Sequence, residues 1–143
     1  MIKIYIFADS HKHFKDAILE YQKRLKTIEL IELKPVKRTP EQIIDSESKI
    51  LGGKLEKESY KIILSPNGNN ISTEDFNIIE TQKNSGKKII FAIANGLDYS
   101  VLKNAIDLEL SFKMILPHSL ALTVLLEQVY RCSEIERGSS YHK

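Results

Sequence analysis

Apolar and polar residues along this chain switch between two periods, and the switches mark out its elements. Ile2–Phe7 alternates and then runs apolar, as a strand buried on both faces does. His13–Leu25 places Phe14, Ala17, Ile18, Tyr21 and Leu25 at helical spacing, with charges on the other side. Ile28–Leu33 returns to a period of two. Thr39-Pro40-Glu41-Gln42 predicts a helix start, with Thr39 capping, Pro40 at the first helical position and Gln42 closing a capping box. That helix is expected to run toward Glu58, with Gly52-Gly53 weakening its middle.

Tyr60–Leu64 reads as a strand, and Ser65–Asn70 is dense in turn formers. Ser72 is expected to cap a helix running to about Lys83, with Glu74 and Asp75 in its first turn and Ser85-Gly86 stopping it. Lys88–Ile93 is the clearest buried strand and leads into Ala94-Asn95-Gly96-Leu97. A short helix is expected over Tyr99–Ile106, a last strand over Leu108–Phe112, and a long final helix over Ser119–Arg137, ended by Gly138. Strands alternating with helices predict an α/β fold with a parallel sheet covered on both faces, in a single domain spanning 1–143.

Composition narrows the function classes. A content of 42% apolar and 28% charged residues excludes a disordered or collagen-like chain. The net charge of +2 gives no basic coat for gripping nucleic acid, so any such binding must come from a local patch. Lys34, Lys37 and Arg38 form one small basic cluster, in a Pro35–Arg38 segment expected to be a mobile loop. Cys132 is the only cysteine, which excludes an intrachain disulfide and predicts a small buried group on the last helix. MIKIYIF lacks a signal-peptide pattern and no stretch reaches membrane-spanning length, so a soluble cytoplasmic protein is expected.

In an open α/β sheet, ligands bind beyond the carboxyl ends of the strands. Three segments leave strand ends there with unusual residues: Ser65–Asn70, Ala94–Leu97 and Lys113–His118. None forms a dinucleotide fingerprint or a P-loop. The four histidines show no metal-ligand spacing. The C-terminal segment adds a Leu-Pro-His turn, a long apolar helix, and a closing Tyr141-His142-Lys143. Each polar residue there has an ordinary reading as a solvated group or fraying end.

Together the motifs are more specific. An NGL loop after a strand, then S-F-x-K-M, L-P-H, a helix with E-Q-V-Y-R and a terminal Y-H-K resembles one family. It is that of the large-subunit ribosomal RNA methyltransferases of the SPOUT class, which methylate N3 of a pseudouridine in 23S rRNA. The resemblance runs end to end, through the Ala17–Leu25 helix and the strand ending near Leu33, and is strongest over Phe91–Lys143. It implies a SPOUT fold with a C-terminal trefoil knot and a homodimer in which the apolar final helix (Leu120, Leu122, Val124, Leu125, Leu126, Val129) is buried at the interface.

The same resemblance implies a pocket for S-adenosyl-L-methionine. It is formed by Leu64 and the loop after it, by Ala94, Asn95 and Gly96, and by Ser111, Phe112, Lys113, Met114, Ile115 and Leu116. Arg131 and the tail residues Tyr141, His142 and Lys143 would position RNA, with His118 near the target base. The pseudouridine N3 would lose its proton to His118 or His142, since imidazole titrates near neutral pH. The implied partners are a second copy and 23S rRNA in the large subunit or 70S ribosome, with no membrane and no DNA. The chain also departs from the family pattern. Ile93-Ala94-Asn95-Gly96-Leu97 stands for the longer I-G-G-x-x-G-L, Leu64-Ser65-Pro66-Asn67-Gly68 for L-D-x-x-G, and Leu122 for an arginine. Two expectations follow: an active rRNA methyltransferase, or a relative that binds RNA or ribosomes without using the cofactor.

Overall fold

The computed structural model describes residues 1–8, 11–35, 38–81, 86, 88–94, 102, 106–111 and 116–142, together with the backbone of 82–84. The described strands are β1 (Ile2–Phe7), β2 (Ile28–Leu33), β3 (Tyr60–Asn70), β4 (Ile89–Ile93) and β5 (Leu108–Ser111). The helices are α1 (Lys15–Arg24), α2 (Pro40–Gly52), α3 (Thr73–Asn84) and α4 (His118–Glu136). The strands form one sheet in the order β2-β1-β4-β3-β5, and every pairing is parallel. The predicted fold class is therefore observed. The short helix expected over Tyr99–Ile106 lies largely outside the described residues, as do the segments from which a knot would be read.

Strand alternation explains the two layers. Ile2, Ile4 and Ile6 of β1, Ile62 of β3, and Ile89, Phe91 and Ile93 of β4 point to one face. There they meet Ile18 of α1, Phe76 of α3 and Leu122, Leu125 and Leu126 of α4. Tyr5, Phe7, Ile63, Ile90 and Ala92 point to the other face, against Leu51 of α2. Helix α4 packs against both α1 and α3. Much of its apolar surface is met inside the chain: Leu122, Leu125, Leu126 and Val129 are buried there, while Leu120 and Val124 keep partial exposure. Cys132 is buried as expected, and burial together with the neighbouring Glu80 carboxyl pushes its thiol pKa up.

Local chemistry sets the element ends. The Thr39 hydroxyl accepts from Gln42 N and the Gln42 side chain accepts from Thr39 N, with Pro40 opening α2. Helix α2 does not continue toward Glu58; it stops at the Gly52-Gly53 pair, where two residues without side chains give the least support to a further turn. Strand β3 differs from expectation too. Leu64 and Asn69 both pair with Leu110, so residues 65–68 bulge out of the ladder and the strand resumes to Asn70. Gly68 makes this possible: a Cβ there would lie 2.8 Å from the carbonyl carbons of Glu109 and Leu110.

Candidate functional site

The carboxyl end of β3, the end of β5, the start of α3 and the middle of α4 enclose a partly open cleft of about 170 Å³. Leu64, Phe76 and Leu125 supply apolar walls; Ser72, Ser111 and Gln128 supply polar edges. The Ser72 hydroxyl accepts from Asp75 N at 3.1 Å and so caps α3, as its sequence position predicts. Ser111 Oγ donates to the Pro66 carbonyl at 3.0 Å, tying β5 to the bulge.

The cleft wall continues into the C-terminal tail. Thr73 Oγ1 donates to Gln128 Oε1 at 2.8 Å, and Gln128 Nε2 donates to Glu127 Oε2 at 2.7 Å. Glu127 Oε1 then accepts from Arg131 Nη2 at 2.5 Å, from Arg131 Nε at 3.0 Å and from the Tyr141 hydroxyl at 3.2 Å. Gly138, at φ +70°, turns the chain back along α4; its N–H and that of Ser139 bond to Ile135 and Glu134 carbonyls. Tyr141 consequently lies under the Arg131 guanidinium, 4.8 Å from its ring centroid, and packs edge-on against Tyr130 at 4.9 Å. Tyr130 in turn faces Tyr21 at 6.0 Å and carries Arg24 over its ring at 5.3 Å. Burial and then the Glu127 carboxylate push the Tyr141 phenol up to about 12, so it stays protonated.

His142 closes this cluster. Its Nδ1 lies 3.3 Å from Arg131 Nη1 and its Nε2 3.2 Å from Glu74 Oε1. A guanidinium only donates and a carboxylate only accepts, so Nδ1 is the acceptor and Nε2 bears the proton. Both ring nitrogens are thereby committed. Its own backbone amide, and then His142, hold the Glu74 carboxyl below the usual range.

His118 sits elsewhere. It opens α4 with Nδ1 2.5 Å from the Phe7 carbonyl at the end of β1. The carbonyl only accepts, so Nδ1 donates and the neutral ring keeps its lone pair on Nε2. The next residue, Ser119, places Oγ 2.7 Å from His11 Nδ1, and His11 Nε2 lies 2.6 Å from Glu32 Oε1. His118 and Arg131 are thirteen residues apart on one helix, about 20 Å along its axis.

Of the residues singled out in the sequence, Arg131, Tyr141 and His142 come together, while His118 stands apart from them in the chain. Leu64 and Ser111 meet at the cleft. Ala94 packs on the α2 face and Leu116 against the core of the opposite face, which α4 covers. Asn95, Gly96, Phe112, Lys113, Met114, Ile115 and Lys143 lie outside the described residues. Glu127, Gln128, Glu74, His11 and Glu32 were not singled out. Glu127 had a visible signal, four residues before Arg131 on a helix face; Glu74 and Glu32 reach their histidines across 68 and 21 residues, which no local pattern reveals.

Comparison with known proteins agrees with this architecture. The family model described as "Predicted SPOUT methyltransferase" matches residues 1–142. A protein of Streptococcus sanguinis named ribosomal RNA large subunit methyltransferase H is 36% identical, with 92% of each chain covered. Proteins of the same name from Bacillus cereus and Bacillus anthracis are 38% identical, again over 92% of each chain. A match that begins in β1 and runs through α4 into the tail takes in the sheet, the cleft and the Arg131 cluster alike, and the chain belongs to the SPOUT methyltransferase family.

Proposed function

We propose that this protein methylates large-subunit ribosomal RNA, at N3 of a pseudouridine in 23S rRNA, acting as a cytoplasmic homodimer on the large subunit or the 70S ribosome. The observation that carries the reading is the Arg131–Tyr141–His142 cluster wired through Glu127 and Gln128 to the cleft. The alternating rings and guanidinium groups of Tyr21, Arg24, Tyr130, Arg131 and Tyr141 are the groups on which unstacked RNA bases pack. With so low a net charge, recognition of a folded particle is more natural than a grip on naked RNA.

S-adenosyl-L-methionine, when bound, supplies an electrophilic methyl group. The described cleft fits part of such a molecule: its apolar walls suit a flat ring or an alkyl sulfonium arm, and Ser72, Ser111 and Gln128 offer polar edges. At about 170 Å³ it falls below the several hundred Å³ of a complete small-molecule pocket. In this reading the remainder is supplied by the segments around 95–97 and 112–115.

The chain's own residues orient the base and take its proton. Both nitrogens of His142 are already engaged, whereas the Phe7 bond leaves His118 with an acceptor nitrogen. His118 is therefore the proton acceptor, and Arg131, Tyr141 and His142 position the RNA. The distance of about 20 Å between them supports a site in which one copy contributes His118 and the other its tail. The test is transfer of labelled methyl to intact ribosomes, followed by nucleoside mass spectrometry. A 3-methylpseudouridine product is expected, with loss on His118→Ala. Absence of transfer, with no cofactor binding by calorimetry at millimolar concentration, would overturn this reading; co-sedimentation with ribosomes would then mark a non-catalytic relative that binds them.

A further inference from the structure

The tail cluster leaves unused a second polar constellation at the carboxyl ends of β1 and β2. His11 is nine-tenths buried there, between Glu32 of β2 and Ser119 of α4. Glu32 only accepts, so His11 Nε2 carries a proton; in the neutral ring Nδ1 then accepts from the Ser119 hydroxyl. Ser119 directly follows His118, whose Nδ1 donates to Phe7. Two adjacent residues of the first turn of α4 are thus tied to the ends of two different strands.

This turn needs such ties. The residue before it is Pro117, no side chain caps α4, and no acidic residue occupies its first turn. A helix start without a cap frays, because its first N–H groups have no intrahelical partners. The tertiary bonds from Ser119 to His11, and from His11 to Glu32, hold the first turn where a local cap would.

We propose that His11 is a positioning residue: braced by Glu32 and acting through Ser119, it holds the start of α4 so that His118 keeps Nδ1 on the Phe7 carbonyl and presents Nε2 as its basic nitrogen. The inference rests on the reading of His118 as proton acceptor. His11 itself touches no substrate; it fixes which nitrogen of His118 is available.

Long-range proton–nitrogen correlation spectra of the full chain, labelled at histidine, test it. Wild type should show His118 as a single tautomer protonated at Nδ1. His11→Ala and Ser119→Ala should each give a mixture of the two tautomers. On ribosomes, each variant should lose about tenfold in kcat, with KM for ribosome and cofactor within twofold. The double variant should be no slower than His11→Ala alone, and Ser119→Thr, which keeps the hydroxyl, should recover most of the rate.

If His118 keeps its single tautomer and kcat in both variants, with wild-type circular dichroism, the proposal is wrong; additive losses in the double variant would also sink it. Should His11→Ala not fold, Ser119→Ala, which removes one oxygen, decides. Should wild type transfer no methyl group to any rRNA, the functional reading fails, while the spectra still judge the positioning role by themselves.

Discussion

Glu80→Gln is expected to stabilise the protein above neutral pH. Glu80 is half-buried where α3 packs on α4, beside Cys132, and its Oε2 has no hydrogen-bond partner among the described residues. Desolvation by burial pushes its carboxyl up from 4.5 to about 7. The folded state therefore holds this proton more tightly than the unfolded chain. The contribution of Glu80 to stability is fully present below pH ~4.5, falls as pH rises toward ~7, and is lost above it. At full burial this rise corresponds to about 3 kcal/mol; with a half-buried group, solvent screening leaves ~1–2 kcal/mol. Glutamine carries no charge to desolvate, so the variant should gain that amount at pH 8, or about 3–6 °C in Tm, and almost nothing at pH 4.5. Urea unfolding at both pH values, at one fixed protein concentration, measures it. A variant less stable than wild type at pH 8, or equally stabilised at both, would refute the reasoning.

Three further predictions follow from the same geometry. Gly68→Ala drives a Cβ against the β5 backbone and should cost about 1–3 kcal/mol, seen as a lower urea midpoint with an unchanged slope. Glu127→Gln removes the carboxylate shared by Arg131 and Tyr141; the Tyr141 phenol, pushed up to about 12 by burial and then by Glu127, should titrate at lower pH in an ultraviolet titration, and methyl transfer should fall. Thr39→Ala opens the capping box of α2 and should cost ~0.5–1 kcal/mol by urea unfolding, without changing transfer, because α2 packs on the face of the sheet opposite α4.

Much of the fold was legible because its signals are local. Strand β4 announces itself as five apolar residues, and the start of α2 as Thr-Pro-x-Gln. The bulge in β3 was not legible: Ser65–Asn70 carries every mark of a turn, and only the distant backbone of β5 draws it back into the sheet. The apolar α4 pointed to more burial than the sheet alone provides, and α1 and α3 supply most of it. At the site, Arg131, Tyr141 and His142 could be named from the family pattern. The carboxylates that fix them, and the His11–Ser119 tie, bridge long sequence separations and become visible only once the sheet order is known.

The strand order also dictates a timetable. Strand β4 is the only neighbour β1 and β3 share, yet Ile89 pairs with Ile2 from the far side of the sequence. During synthesis β1, α1 and β2 can assemble early, but β3 emerges with both of its neighbours still unmade. Its apolar run Ile62-Ile63-Leu64 then carries two unpaired edges until β4 arrives. Ordering of the sheet thus waits on the second half of the chain, and parallel pairing across such sequence separations slows folding and lengthens the window for misassociation. The central strand is a keystone set late, with β5 still to follow.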